Sequence, residues 1–382
     1  MEPKIRINGF NDNWNETTLG SLCTSDHSNL TLGDISNLIG EYPIFGASGY
    51  IKNIDSFKQR NRYIGIVKDG AGAGRAFVCP AYSSILATMN YIIPQKGVDT
   101  DFLLNIINSI DFSKYITGST IPHIYFKTYS AEKVYIPKEE EQQALGSYFL
   151  HLDFLILSTS KKIESLKQVK TASLQSMFPQ GEDNTPRVRI GKRIEPWYTC
   201  KLNDILAERH EASTITQDLP QLSFTIAEGV IRPEDRKSNQ RDFLIKDKDN
   251  KRYLITRVGD IIYNPANVVY GAIHRNSLID GVVSPIYRIF TTNQDSRFIE
   301  CVVRRPSFIS QLAMRTEGTV TKLKTLKPEA FLDMTVSIPT DLEEQRMIGE
   351  YFRNLDSQID LQTLRLEKLK QIKSACLDNM FV

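Results

Sequence analysis

The chain has 382 residues, 41% hydrophobic and 24% charged, and its 47 lysines and arginines against 45 aspartates and glutamates leave a formal charge of +2. That length predicts two or three domains with real cores; the charge balance excludes a histone-like or acidic-tail protein but leaves room for a local basic surface. No apolar run approaches the roughly 18 residues of a membrane span, and the start MEPKIRING lacks the apolar core of a signal peptide. A cytoplasmic chain with no membrane partner is the expectation. The scattered cysteines (Cys23, Cys79, Cys200, Cys301, Cys376) show no CxxC and no histidine pairing, which predicts free thiols rather than a disulfide or zinc framework.

In chain order, a segment PKIRINGFNDNW opens residues 3–22, and strand-like runs follow at 63–67 (YIGIV), 76–78 and 91–94, punctuated by Gly- and Asn-rich turns. A helix is predicted over 100–110, then a long one over 138–178. Pro179, Gly181 and Pro186 mark a hinge at 179–185. Beyond it, PRVRIGKRIEPW opens residues 186–205, strands are predicted at 260–263, 282–283 and 286–290, and helices at 296–304 and 340–382.

The second half repeats the first. Pro3, Arg6, Trp14 and Leu19 recur 183 residues later as Pro186, Arg189, Trp197 and Leu202, and these are the only tryptophans in the chain. VYIPKEEEQQALGSYF recurs as VSIPTDLEEQRMIGEYF. From there a constant offset of 203 aligns Gln142 with Gln345, Gly146 with Gly349, Asp153 with Asp356, Lys170 with Lys373 and Phe178 with Phe381. The interiors, 23–133 and 206–335, look little alike, so a shared frame is expected to carry two different modules. The expected division is a first module at 1–137, a first helix at 138–178, the hinge, a second module at 186–339 and a second helix at 340–382.

The long helices carry matching stripes. Leu145, Phe149, Leu152, Ile156, Ile163, Leu166 and Val169 form one; Ile348, Phe352, Leu355, Ile359, Leu366, Leu369 and Ile372 form the other. Such spacing makes a coiled-coil seam, and both are broken at one equivalent polar position, Thr159 and Gln362. The predicted fold is therefore α+β: two mixed α/β modules separated by two long antiparallel coiled-coil helices in a pseudo-two-fold repeat. About 35–40 residues of helix give a rod of roughly 50–60 Å.

Motifs for covalent chemistry are lacking. VKDGAGAGR (67–75) follows a strand but is neither GxGxxG nor a Walker loop. YNPAN (263–267) matches an amino-methyltransferase Asn-Pro-Pro-Tyr only in part, without the second proline or the stacking aromatic. His27, His123, His151, His210 and His274 stand apart, with no HExxH. No catalytic residue and no metal ligand is assigned.

The Trp14/Trp197 segments, the Ile136-Pro137 and Ile338-Pro339 steps into the helices, and the endings KQVKTASLQSMF and KQIKSACLDNMF together resemble the specificity subunit of type I restriction–modification systems. The resemblance covers nearly the whole chain. It implies two target-recognition domains, each reading one half of a split double-stranded DNA site. It also implies helices that act as a ruler and as docking surfaces for two modification (methyltransferase) subunits and, through them, restriction subunits. SAM, ATP and Mg would then belong to the partners, none to this chain. A rod of the expected length spans between one and two turns of B-DNA, each about 34 Å. The competing reading is a coiled-coil adaptor that binds protein partners without reading DNA.

Candidate DNA-contacting residues are basic or polar and carried on loops. In the first module they are Arg60, Asn61 and Arg62; Lys68 and Arg75 around the glycine turn; and Ser119, Thr120 and His123 before the frame resumes. In the second they are Arg236, Lys237, Gln240 and Arg241; Asn264, Asn267 and Arg275; and Thr319, Thr321 and Lys322, in a segment that parallels 118–123. Arginine forks and Asn/Gln amides suit guanine and adenine edges. Lys68 is expected on a phosphate and Arg75 on a base.

Overall fold

A computed structural model describes residues 2–181, 183–191, 193–236, 251–316 and 325–381. The chain divides into two units, Met1–Lys162 with Gln362–Val382, and Ile163–Leu361.

Each unit is closed by a strand pair built from the repeated segments. Asn15–Thr18 runs antiparallel to Lys133–Ile136 with Asn15 opposite Ile136, and Tyr198–Lys201 pairs with Thr335–Ile338 with Tyr198 opposite Ile338. A proline follows each closing strand, and the long helices begin just beyond, at Glu139 and Leu342.

Inside the first module a four-stranded antiparallel sheet runs Cys23–His27, Met89–Pro94, Tyr63–Val67, Ala76–Cys79. Tyr63–Val67 is buried at every residue because it has a core on both faces. Ile64 and Ile66 join the frame-side cluster with Trp14 and Phe149, whereas Tyr63 and Val67 join Cys79, Met89 and Tyr91 on the other side. The second module has a sheet in the same order, Leu206–Glu208, Arg288–Thr292, Ile261–Tyr263, Ile273–Arg275. There Ile261 and Tyr263 face the frame and Ile262 faces away. Interiors that look unalike in sequence thus share one sheet, because a two-residue period sets burial without setting identity. One predicted strand is displaced: 286–290 begins instead at Arg288, since Tyr287 closes a turn onto the Ser284 carbonyl (3.2 Å) and Ile286 is exposed.

The helices Thr100–Ser109 and Ser296–Val303 start on aspartate caps, Asp99 accepting from Phe102 N (2.8 Å) and Asp295 from Phe298 N (2.9 Å). Each cap is locked to a long helix. Gln142 Oε1 accepts from Asp99 N and Gln345 Oε1 from Asp295 N, both at 3.1 Å. Their amides donate back to the Pro137 and Pro339 carbonyls at 3.0 and 2.9 Å.

Two buried bidentate pairs complete the frame. Arg6 donates to both oxygens of Glu141 (2.8 and 2.7 Å), and Arg189 to both of Glu344 (2.9 and 2.5 Å).

The long helices, Glu139–Ser176 and Leu342–Met380, pack antiparallel within each unit. In the first, Tyr148 meets Cys376 (3.5 Å), Lys373 binds Asp153 (2.5 Å) and the Phe149 and Phe381 rings lie 5.5 Å apart. In the second, Ser173 meets Tyr351 (2.9 Å), Lys170 binds Asp356 (2.5 Å) and Phe178 lies 6.0 Å from Phe352.

Most of the expected seam is covered. Leu145, Phe149, Leu152, Ile163, Ile348, Phe352 and Leu355 are buried; Ile156, Leu166, Ile359, Leu366 and Leu369 are half-buried. Thr159 is buried and Gln362 half-buried, so the polar breaks lie within it.

Val169 and Ile372 are corrections: both are exposed, at 45% and 46%. After Leu166 and Leu369 the alternation requires a step of four, which lands on Lys170 and Lys373. Their stems cover the seam while their heads pair with the equivalent aspartates. Such part-exposed pairs contribute about 0–1 kcal/mol each and act mainly on register.

All five cysteines are free thiols. Among the described residues no helix is long and apolar enough to cross a membrane.

Candidate nucleic-acid interface

The glycine-rich segment 68–75 is the turn joining Tyr63–Val67 to Ala76–Cys79, closed by Val67 N on Arg75 O and Gly74 N on Val67 O, both 2.9 Å. Gly74 has φ +92°, and a Cβ there would stand 2.7 Å from Phe112, so only glycine fits. The fold brings segment 118–123 against this turn. Gly70 N donates to Pro122 O (2.8 Å), Ile124 N to Lys68 O (3.0 Å), and His123 Nδ1 lies 2.8 Å from Asp69 Oδ1.

Lys68 and His123 thus meet at Asp69, which holds the Lys68 ammonium, and Ser119 and Thr120 are exposed in the adjoining segment. Burial raises the Asp69 carboxyl, but hydrogen bonds from Lys68 and His123 more than reverse this and leave it below its ordinary value. Asp69 was not singled out from sequence, although it sits inside the glycine-rich run. Its carboxylate pairs with the lysine head.

Arg75 is exposed, lies along Gly72 and donates to the Ala47 carbonyl (2.5 Å). It lines a cleft of about 670 Å³ with Tyr50, Leu32 and Thr88. Thr88 O also accepts from Lys68 N (3.0 Å), linking the cleft to the turn.

Arg60, Asn61 and Arg62 are exposed but precede Tyr63, at the opposite end of the strand from the turn. The Arg62 fork is engaged by Asp101 (2.8 and 3.0 Å).

The second unit has the corresponding hairpin. Asn264 and Asn267 shape its turn, Asn264 Oδ1 accepting from Ala266 N and Asn264 O from Asn267 N, each at 3.0 Å. Leu326 N donates to Pro265 O (3.1 Å), as Ile124 does to Lys68 in the first unit. Thr319, Thr321 and Lys322, and also Lys237, Gln240 and Arg241, lie outside the described residues. Arg236 is exposed after the turn Pro233–Asp235. Arg275 sits at the far end of its strand from the turn, half-buried, its Nε on Ser296 Oγ (2.7 Å).

His274 points inward, with Nε2 2.8 Å from the Ile226 carbonyl and its ring against Phe224. Burial, with a smaller push from Arg304, lowers its pKa to about 4, despite Glu300 at 3.8 Å, whose own carboxyl burial pushes up. A histidine that stays neutral in the fold binds a proton more readily when unfolded. Its stabilisation is therefore full above pH 6.5 and lost as pH falls from 6.5 towards 4. Denaturant unfolding across that window should show stability falling by about 2–3 kcal/mol, and His274→Gln should flatten the slope. An unchanged slope would mean that another group governs it.

Residues 11–168 match the family model for the type I restriction modification DNA specificity domain. The specificity subunit of the type I restriction enzyme MjaVIII from Methanocaldococcus jannaschii is 22% identical over 335 residues, 81% of this chain and 76% of that protein. The crystal structure of a type I restriction–modification S subunit from M. genitalium aligns with a TM-score of 0.68 at 14% identity, covering 100% of this chain and 99% of that one. At that identity the likeness is one of fold. With the matched frame repeated through the second unit, the chain is similar to type I restriction–modification specificity subunits, by the family model over residues 11–168 and by fold over its length.

Proposed function

We propose that this chain reads a bipartite, asymmetric DNA site, one half per module, and holds the modification subunits of its system on that site. Specificity subunits select the DNA and carry no catalysis themselves, and the family leaves the adaptor reading without support. The observation that carries the proposal is the recurrence, in both units, of one hairpin turn met by one pre-frame segment on the same sheet, with different residues at each. Equal scaffolds with unlike surfaces suit two half-sites of unlike sequence.

In this reading the modules span 1–137 and 186–339, and the helices at 138–178 and 340–382, with the hinge 179–185, set the spacing. Lys68 holds a phosphate, which displaces Asp69 from its ammonium, and Arg75 reads a base from its cleft. Ser119, Thr120, His123, Asn264, Asn267 and Arg236 complete the surfaces. Two modification subunits bring SAM, restriction subunits bring ATP and Mg, and the complex works in the cytoplasm.

Exchanging residues 23–133 for those of another specificity subunit, followed by methylation mapping of the host genome, is expected to change one half-site and leave the other intact. A change in both halves, or in neither, would overturn the modular assignment.

A further inference from the structure

We propose that the second unit contains a phosphate-binding pocket formed by Arg275, Arg297 and Arg353, separate from the hairpin-turn surface. A cavity of about 270 Å³ opens between the strand Ile273–Arg275, the helix Ser296–Val303 and the long helices. Its wall carries more cations than the acids can neutralise. Lys170 is held by Asp356 (2.5 Å) and Arg304 by Glu300 (3.4 Å). Among the described residues that leaves the exposed Asp360 as the one lining carboxylate for three guanidiniums.

Arg275 spends Nε on Ser296 and has no carboxylate within ion-pair distance among the described residues; nor do Arg297 and Arg353. Nearby Asp295 is committed to capping Phe298. Burial lowers the Arg275 pKa, and the charges of Arg297 and Arg353 lower it further, while Glu300 and Asp295 oppose them only in part. Like charges converging on a half-buried guanidinium are costly unless an anion joins them. A phosphate, with several acceptor oxygens and a double charge, matches planar forks that can each bind two of those oxygens.

The repeat shows that the frame does not require these arginines. Asp295 and Asp99 are equivalent caps, so Arg297 corresponds to Asp101, which Arg62 holds. The offset of 203 places Arg353 at Leu150, and the sheet register places Arg275 at Val78. The first unit thus builds the same corner without the three arginines.

The phosphate source is either a DNA backbone or a free phosphate compound, and two arms on the full chain separate them. The first measures the thermal midpoint against inorganic phosphate, with chloride at matched ionic strength as control. Phosphate is expected to raise the wild-type midpoint saturably, and Arg297→Gln and Arg353→Gln each to weaken phosphate about tenfold or more. Without phosphate, both variants are expected to unfold at or above the wild-type temperature, since a repulsion has been removed. The second arm measures binding of a random-sequence duplex. A parallel loss there identifies the DNA backbone, and an unchanged duplex affinity identifies a free phosphate compound.

No saturable effect of phosphate beyond chloride would overturn the pocket, as would variants that bind phosphate like wild type. The phosphate arm uses no DNA, so it can fail or succeed independently of the DNA-reading proposal.

Discussion

Arg189→Ala is expected to destabilise the second unit by about 3–5 kcal/mol, because it strands a buried carboxylate. The Glu344 side chain is fully buried (0% exposed) and Arg189 is 9% exposed. The guanidinium also donates to the Glu195 carbonyl at 2.5 Å, and Trp197 Nε1 lies 3.4 Å from the same carboxylate. Arg193 cannot take over: it stands 4.0 Å from Glu344 and is bound to Asp341.

The pair closes the N-terminal segment of its unit onto the start of a long helix, so the loss should appear as a lower denaturant midpoint. The equivalent Arg6→Ala should cost somewhat less, since Arg6 is 15% exposed. Replacing Arg189 and Glu344 together by methionine should recover most of the loss, because two apolar groups leave nothing charged in the interior. A single-variant cost below about 1 kcal/mol would show that water reaches the carboxylate.

Gly349→Ala is the second large effect, and its sign runs against helix propensity. Alanine in a helix interior is favoured over glycine by about 1 kcal/mol. Here the added Cβ would meet Arg297 Cβ at 2.8 Å and Asp295 Oδ1 and Phe298 N at 2.9 Å. These are the cap of the neighbouring helix, which would have to shift. Overpacking costs about 1–3 kcal/mol, and a lost aspartate cap about 1 more. A net destabilisation of about 2 kcal/mol follows from those terms. Gly146→Ala should behave alike, as its Cβ would crowd Asp99 and Phe102 N. A gain in thermal stability from either change would mean that the helix and cap are not in contact.

The frame was legible because it is written twice. Matching Arg6 with Arg189, Gln142 with Gln345 and Gly146 with Gly349 marked positions that turn out to clamp, lock and admit the same neighbours in each unit. What each position does was not legible, since Arg6 and Glu141 are 135 residues apart and no local period joins them. The helical stripe is buried or half-buried until its last turn. Composition favoured Val169 and Ile372 there, but geometry placed the lysine stems in the seam.

The common sheet order escaped notice because burial repeats every two residues whatever the apolar residue chosen. The candidate DNA surface shows the same division. Polar, basic and glycine-rich loops announced its parts. Their union, Gly70 on Pro122 and Leu326 on Pro265, joins segments far apart in the chain. By itself the sequence determined the repeat, the two long helices and the two-module plan, because these rest on local period and on copies of one pattern. The tertiary structure alone decided which charges are paired, which loops meet and that His274 faces inward, because those depend on neighbours that only packing supplies.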